Sequence, residues 1–193
     1  MTIPKADSLT GFHDGARKAE AASALWQAIE DNHRNNSMLW DEEDLARRRN
    51  VPDAEIAKNK RAIDGYNQKR NDAVERIDEQ LLIAIGNMRS EARLSSETPG
   101  AMIDRLSILS LKIRSMRLQA QRTDVDPPHV EECTRKLNRL NEQRADLAAC
   151  LDRLLAECVR GESRFKIYRQ FKMYNDPKLN PAVYGESKPS SRS

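Results

Sequence analysis

From Val130 to Cys158 one row of residues advances in alternating steps of three and four: Val130, Cys133, Leu137, Leu140, Arg144, Leu147, Leu151, Leu154, Cys158. Only an α-helix gathers such positions onto one face, because about 3.6 residues complete a turn. A seam of about four heptads cannot bury itself. It requires close antiparallel packing against other helices of the chain, or a coiled-coil contact with a second copy, so a homodimer is one expected outcome.

Three further helical patterns precede it. The first runs from about Ala16 to Arg49, with Trp26, Ile29, His33, Asn36, Trp40 and Glu43 in one row. The turn "NVPD" leads to a second, from about Asp53 to Met88. The looser "GNMRSEARLSSETPG" then brings the chain to Thr98, a good N-cap, and Pro99, which fits the first helical position. In the third pattern, 99–120, Met102, Leu106, Leu109, Ile113 and Met116 form one row while Ile103, Ile108 and Leu111 lie on other sides, which predicts burial on several faces. "TDVDPPH" breaks the chain, and Asp126 with Pro127 opens the long seam.

The expected fold is all-α, an antiparallel bundle of four long helices with a short C-terminal helix or docked tail. Residues 1–15 read as a leader, 16–175 as a single bundle domain and 176–193 as a tail whose end, "GESKPSSRS", is expected to be disordered. Phe165, Tyr168 and Phe171, three apart, predict a short amphipathic helix that lays its rings on the bundle.

Charged residues make up 33% of the chain and aromatics 5%, but 33 basic and 30 acidic residues leave a net charge of only +3. That balance fits a mixed, solvated surface and argues against a nucleic-acid footprint. No apolar run approaches the length of a membrane span, and "MTIPKADSLTGFHDGARK" does not resemble a signal peptide, so a cytoplasmic protein is expected. Cys133, Cys150 and Cys158 are odd in number and form no CxxC pair. They read as seam residues rather than as a disulfide framework or a thiolate zinc site.

The seams are not purely apolar. On the second helix Arg70 falls in the middle of the arc set by Ile56, Ile63, Val74, Ile77 and Leu81, with Lys60, Asn67 and Asp78 toward one edge. The first helix puts His33, Asn36 and Glu43 between Trp26, Ile29 and Trp40. A buried arginine costs several kcal/mol unless paired. These residues therefore either close on one another as a structural network, with Glu43, Asp44, Asp78 or Asp104 as counter-ions, or line a ligand cavity between helices. The donors Arg70, Arg144, Lys60, Arg105 and Lys112 suit phosphate or carboxylate. Trp26 and Trp40 read as core or as a stacking wall.

A shift of 74 residues lays "IDGYNQKRNDAVERIDEQL" over "LNRLNEQRADLAACLDRLL", matching Asn67 with Asn141, Arg70 with Arg144, Asp72 with Asp146, Asp78 with Asp152 and Leu81 with Leu155. A repeat of this kind predicts that the second and fourth helices face each other about a pseudo-twofold axis and bring two arginines together.

Other chemistries find less support. Glu30 and His33 form one ExxH, but a di-iron bundle needs two such pairs and two more glutamates. Glu75 and Asp78 form an ExxD, with Glu42, Glu43 and Asp44 upstream, which resembles the acidic helices of all-α, Mg²⁺-dependent nucleotide pyrophosphohydrolases. No metal ligand set and no cofactor is assigned. There is no GxSxG, no evident Cys–His pair and no Gly-rich phosphate loop. Any catalysis would rest on pocket electrostatics or on His33, Glu43 or Asp78 as acid–base groups.

"HRNNSMLWDEEDLARR", "KRAIDGYNQKRNDAVERIDEQL", "SSETPGAMIDRLSILSLKI" and "YRQFKMYNDPKLNPAVYG" together resemble the bacterial domain-of-unknown-function family 4254 over nearly the whole chain. The resemblance implies a neighbourhood of glycosyltransferases in cell-surface polysaccharide loci, and no activity. The positions it picks out are His33, Asn36, Trp40, Glu43, Asp44 and Arg47 on the first helix. On the second they are Lys60, Asp64, Asn67, Arg70, Asn71, Asp72, Glu75 and Asp78, and around the third Ser96, Glu97, Thr98, Asp104, Arg105 and Lys112.

The function expected from these readings is binding of an anionic sugar-linked ligand in an interior cationic pocket. Arg70, Arg105 and Lys112 would contact the anion, with Asn36, Trp40, Asn67, Asn71, Asp104, Lys60 and Arg144 around it and His33 with Glu43 as an acid–base pair. The rivals are a helical adaptor for a glycosyltransferase and the pyrophosphohydrolase.

Overall fold

A computed structural model describes residues 2–19, 22–86, 88–171, 173, 176 and 178–182, and three of its helices begin where the sequence predicts, at Asp53, Pro99 and Pro127. Ser23 Oγ accepts from the Trp26 amide at 3.3 Å and opens α2, while Thr98 Oγ1 accepts from the Ala101 amide at 3.2 Å and opens α4. With α1 as Ala6–His13, the long helices are α2 Ala24–Leu45, α3 Asp53–Ile85, α4 Pro99–Ala120 and α5 Pro127–Arg160. Gly161, at φ +73°, adopts the left-handed conformation that closes α5. The result is an all-α helical bundle of four long helices and one short one.

The first long helix is shorter than the Ala16–Arg49 run expected of it, because the Ser23 cap resets its start. Residues ahead of it supply α1 instead. Ala6 and Leu9, 1% and 0% exposed, join the core, and the Ala6 amide donates to Asp152 on α5 at 2.9 Å.

Two hairpins, α2–α3 and α4–α5, make up the bundle, with α3 also against α4 and α1 against α4 and α5. Ile29, Ile77, Leu81, Ile103, Leu106 and Leu151, at most 0% exposed, fill the space between them. Each such side chain contributes about 1.5–3 kcal/mol by leaving water. The α5 seam is used within the chain: Cys133, Leu147, Leu151, Leu154 and Cys158 are buried, and α4 is the main partner of α5. Cys150 departs from the seam reading and is exposed, while burial raises the Cys158 thiol to about 11.

The 74-residue echo is architectural. Displaced by 74, the bounds of α2 and α3 become 98–119 and 127–159, which nearly coincide with those of α4 and α5. The helices that face each other are nevertheless α2 and α4, not α3 and α5 as the echo predicts: α3 and α5 flank the inner pair on either side. The strands that follow the hairpins, β1 Arg93–Leu94 and β2 Ser163–Arg164, pair in parallel, the Arg93 amide donating to Glu162 O at 3.1 Å and the Ser95 amide to Arg164 O at 2.8 Å.

Beyond β2 the tail docks without forming the expected amphipathic helix. Residues 165–171 are not helical, so the three rings share no face: Phe165 is 2% exposed, but Tyr168 and Phe171 are 63% and 87% exposed. Polar contacts complete the docking. Arg169 pairs with Glu75 at 2.6 Å and with Glu79, and Asn71 donates to Gln170 Oε1 at 2.7 Å. The expected disorder, of residues 185–193, lies outside the described ones. Among the described residues no helix is long and apolar enough to cross a membrane.

Candidate functional sites on the two sides of the inner helix pair

Where α2 meets α4, polar side chains bond to one another. Asp104 accepts from Asn32 and Asn36, both at 2.8 Å; Asn36 also donates to Ser107 at 3.1 Å, and His33 Nδ1 meets Ser107 Oγ at 2.8 Å. Asn32, Asn36 and Ser107 are at most 3% exposed, so these bonds answer the desolvation cost of their amides and hydroxyl. This part of the seam is a structural network.

On the α3 side of that network lies a cleft of about 410 Å³. Asn36, Trp40 and Glu43 reach it from α2, Asn67 and Arg70 from α3, and Ile108 and Leu111 from α4. Five of the expected site residues therefore share one space. Arg47 neutralises Glu43 at 3.0 Å. Arg70 Nη2 donates to Asn71 at 3.3 Å, while its buried Nε has no partner among the described residues.

The remaining expected residues lie elsewhere. Arg105 and Lys112 share a face, as their spacing requires, but it opens toward α5 in a separate cleft with Gln143 and Asp146, and Arg105 pairs with Glu97 at 2.5 Å. Lys112 also lines a groove together with Trp40. Lys60 is exposed and pairs with Asp64, while Asn71 holds the tail. Asp78, 3% exposed, accepts from the Gly100 amide at 2.6 Å and pins α3 to the start of α4. Burial raises its carboxyl to about 6, against the lowering effect of its bonds from Thr98 and Gly100. His33 and Glu43, ten residues apart on α2, stand about 15 Å from each other along the axis and open to different clefts.

The opposite side of the network holds a larger cleft, of about 700 Å³, roofed by the end of α1. His13 and His33 stack there at 4.8 Å between ring centroids, with the Phe12 ring edge against His33. His13 is 6% exposed and neither ring nitrogen has a partner among the described residues. Burial, with the nearby charges of His33 and Arg144, lowers it to about 3; burial also lowers His33, against the pull of Asp14. Arg144 meets both oxygens of Asp14, at 2.7 and 2.8 Å.

A family model described as a protein of unknown function (DUF4254) matches residues 26–167. The chain belongs to that family. No curated protein and no solved structure matches it. The DUF4254 match spans nearly all of α2 and the whole of α3, α4 and α5, hence the α3-side cleft, whereas α1 with His13 and Asp14 precedes it.

Sequence reasoning missed His13, Asp14, Asn32 and Ser110. His13 ends "ADSLTGFH", whose apolar positions are too few to announce a helix, and Asn32 and Ser110 lie on faces that look polar until α2 and α4 are set side by side. The acidic residues of the pyrophosphohydrolase alternative are engaged separately: Glu42 with Asn59, Glu43 with Arg47, Glu75 with Arg169 and Asp78 with Gly100.

Proposed function

We propose that the cleft between α2, α3 and α4 binds an anionic sugar-linked ligand, a nucleotide sugar or sugar phosphate, in bacterial surface-polysaccharide assembly. The observation that carries the reading is the unequal treatment of two equivalent arginines. Arg144, 74 positions after Arg70, donates from Nη1 to both carboxylate oxygens of Asp14, whereas Arg70 keeps a buried Nε without a partner among the described residues. An anionic group of a ligand does for Arg70 what Asp14 does for Arg144. Around it, the Trp40 ring offers a face for a sugar or base, Asn67 offers an amide, and Glu43 and Asp44 accept hydroxyl bonds.

Thermal-shift measurements with nucleotide sugars and sugar phosphates test this, since a ligand of the folded state raises the melting temperature. A shift seen in wild type and lost in Arg70→Met supports the site. A shift that persists in Arg70→Met, or none with any such compound, removes it.

A second reading, a helical adaptor for a glycosyltransferase, rests on the exposed Tyr168, Phe171 and Met173 of the docked tail. Size measurement of the protein alone and with such an enzyme tests it: co-migration lost in Phe171→Ser supports the adaptor, and independent migration removes it.

A further inference from the structure

The cleft under α1 is the counterpart, through the internal repeat, of the cleft assigned to the sugar-linked ligand. Ser110, Arg114 and Arg117 stand 74 residues after Asn36, Trp40 and Glu43, and Arg34 and Ser37 stand 74 before Ile108 and Leu111. The repeat thus places the same positions around two spaces but fills them with different chemistry. Where one has an indole and a carboxylate, the other has two guanidinium groups.

We propose that this second cleft is an anion site that takes a phosphate or diphosphate group, independently of what the first cleft binds. Charge supports this. Arg17, Lys18, Arg34, Arg114 and Arg117 line it against Asp14 and Glu30, and Asp14 is already held by Arg144. Arg17 and Arg34 have partners in Asp7 and Asp31, but Lys18, Arg114 and Arg117 have no ion pair among the described residues. Arginine forks in a concave, partly desolvated space are suited to phosphate oxygens, which accept several donors at once.

The floor of the cleft is polar as well. The His13 ring and the Ser110 hydroxyl line the cleft at 6% and 2% exposure, and His13 Nδ1 and Nε2 and Ser110 Oγ lack partners among the described residues. A buried polar atom without a bond costs about 1–3 kcal/mol. Two of the three, the serine hydroxyl and the one N–H of the neutral His13 ring, are accounted for when the cleft has an occupant that accepts from them. Phosphate oxygens accept from the serine hydroxyl and from the imidazole N–H, and the cleft's 700 Å³ leaves room for more than one phosphate.

The test is calorimetric titration of the full chain with inorganic diphosphate and, separately, with a nucleoside diphosphate. Arg114 and Arg117 are exposed, so Arg114→Gln/Arg117→Gln keeps the fold, which an unchanged melting temperature checks. The double variant should bind at least about 10-fold more weakly, the loss of one charge-assisted bond or more. Ser110→Ala should also weaken binding while leaving stability equal or higher, because it removes an unpartnered hydroxyl. Arg70→Met should leave diphosphate affinity unchanged, which separates this site from the first. Equal affinity for the two probes identifies the phosphate group itself as the ligand, and tighter binding of the nucleoside diphosphate identifies a nucleotide. No heat with either probe, or wild-type affinity in the double variant, overturns the proposal.

Discussion

His33 Nδ1 and Ser107 Oγ lie 2.8 Å apart, and the two residues are separated by the same 74 positions that displace one hairpin from the other. A residue that touches its own counterpart marks where the two halves meet. The two hairpins therefore meet at equivalent positions of α2 and α4, and residues of both helices line each of the two clefts. One half of the repeat is covered by α1, so the halves have acquired different chemistry from equivalent positions.

The network at that contact is expected to fix how α2 and α4 meet. Asp104→Leu leaves the buried Asn32 and Asn36 amides without their shared acceptor. At about 1–3 kcal/mol per unsatisfied donor, urea unfolding should show a loss of several kcal/mol. A midpoint within error of wild type would deny the network its structural role.

Gly100 and Gly65 should respond in opposite directions to alanine. A Cβ at Gly100 would stand 2.6 Å from Val74 O and 2.8 Å from the Asp78 carboxylate, so α3 and α4 must part, at about 1–3 kcal/mol. Gly65 lies within α3 with nothing inside 4 Å of its added Cβ, and Gly65→Ala should stabilise by about 0.4–1 kcal/mol. Chemical denaturation of the two variants checks the pair.

The contact at Gly100 also shows what was legible in the sequence. "SETPG" announces a helix start through Thr98 and Pro99, but the need for glycine comes from α3 passing close by, which no local signal carries. Likewise the spacing on α2 and α3 located Asn36, Trp40, Glu43, Asn67 and Arg70 on inward faces, and the structure brings those five together. Periodicity placed Lys60 and Asp78 alike, toward one edge of the arc that Arg70 centres. Their fates differ because α3 passes from the solvated hairpin tip to the packed end against α4 within its own length. His13 was illegible because its burial is made by other elements.

Two buried groups should shape the acid response. His13 resists protonation in the native state, being lowered to about 3 from 6.5, so the stability it contributes above pH 6.5 is lost as pH falls toward 3. The slope reaches about 1.4 kcal/mol per pH unit. Asp78, raised to about 6 from 3.8, acts in reverse: its contribution is full below 3.8 and is lost as pH rises through 6. Urea midpoints between pH 7 and 4 should fall less steeply than wild type in His13→Phe and more steeply in Asp78→Asn.

The tail should divide sharply between its rings. Phe165→Ala removes a side chain 2% exposed and is expected to cost about 3–5 kcal/mol, whereas Phe171→Ala, at 87% exposure, should lie within about 0.5 kcal/mol of wild type. Similar melting temperatures for the two variants would contradict docking through Phe165.

The most direct test of the α3-side cleft uses the tryptophan that lines it. Trp26 is 4% exposed in the core and Trp40 faces the cleft, so Trp26→Phe leaves Trp40 as the sole indole reporter. Titration of this variant with a nucleotide sugar or sugar phosphate should give a saturable change in Trp40 fluorescence, abolished by adding Arg70→Met. Binding that leaves Trp40 emission unchanged, or that survives the loss of Arg70, would contradict the assignment of the cleft.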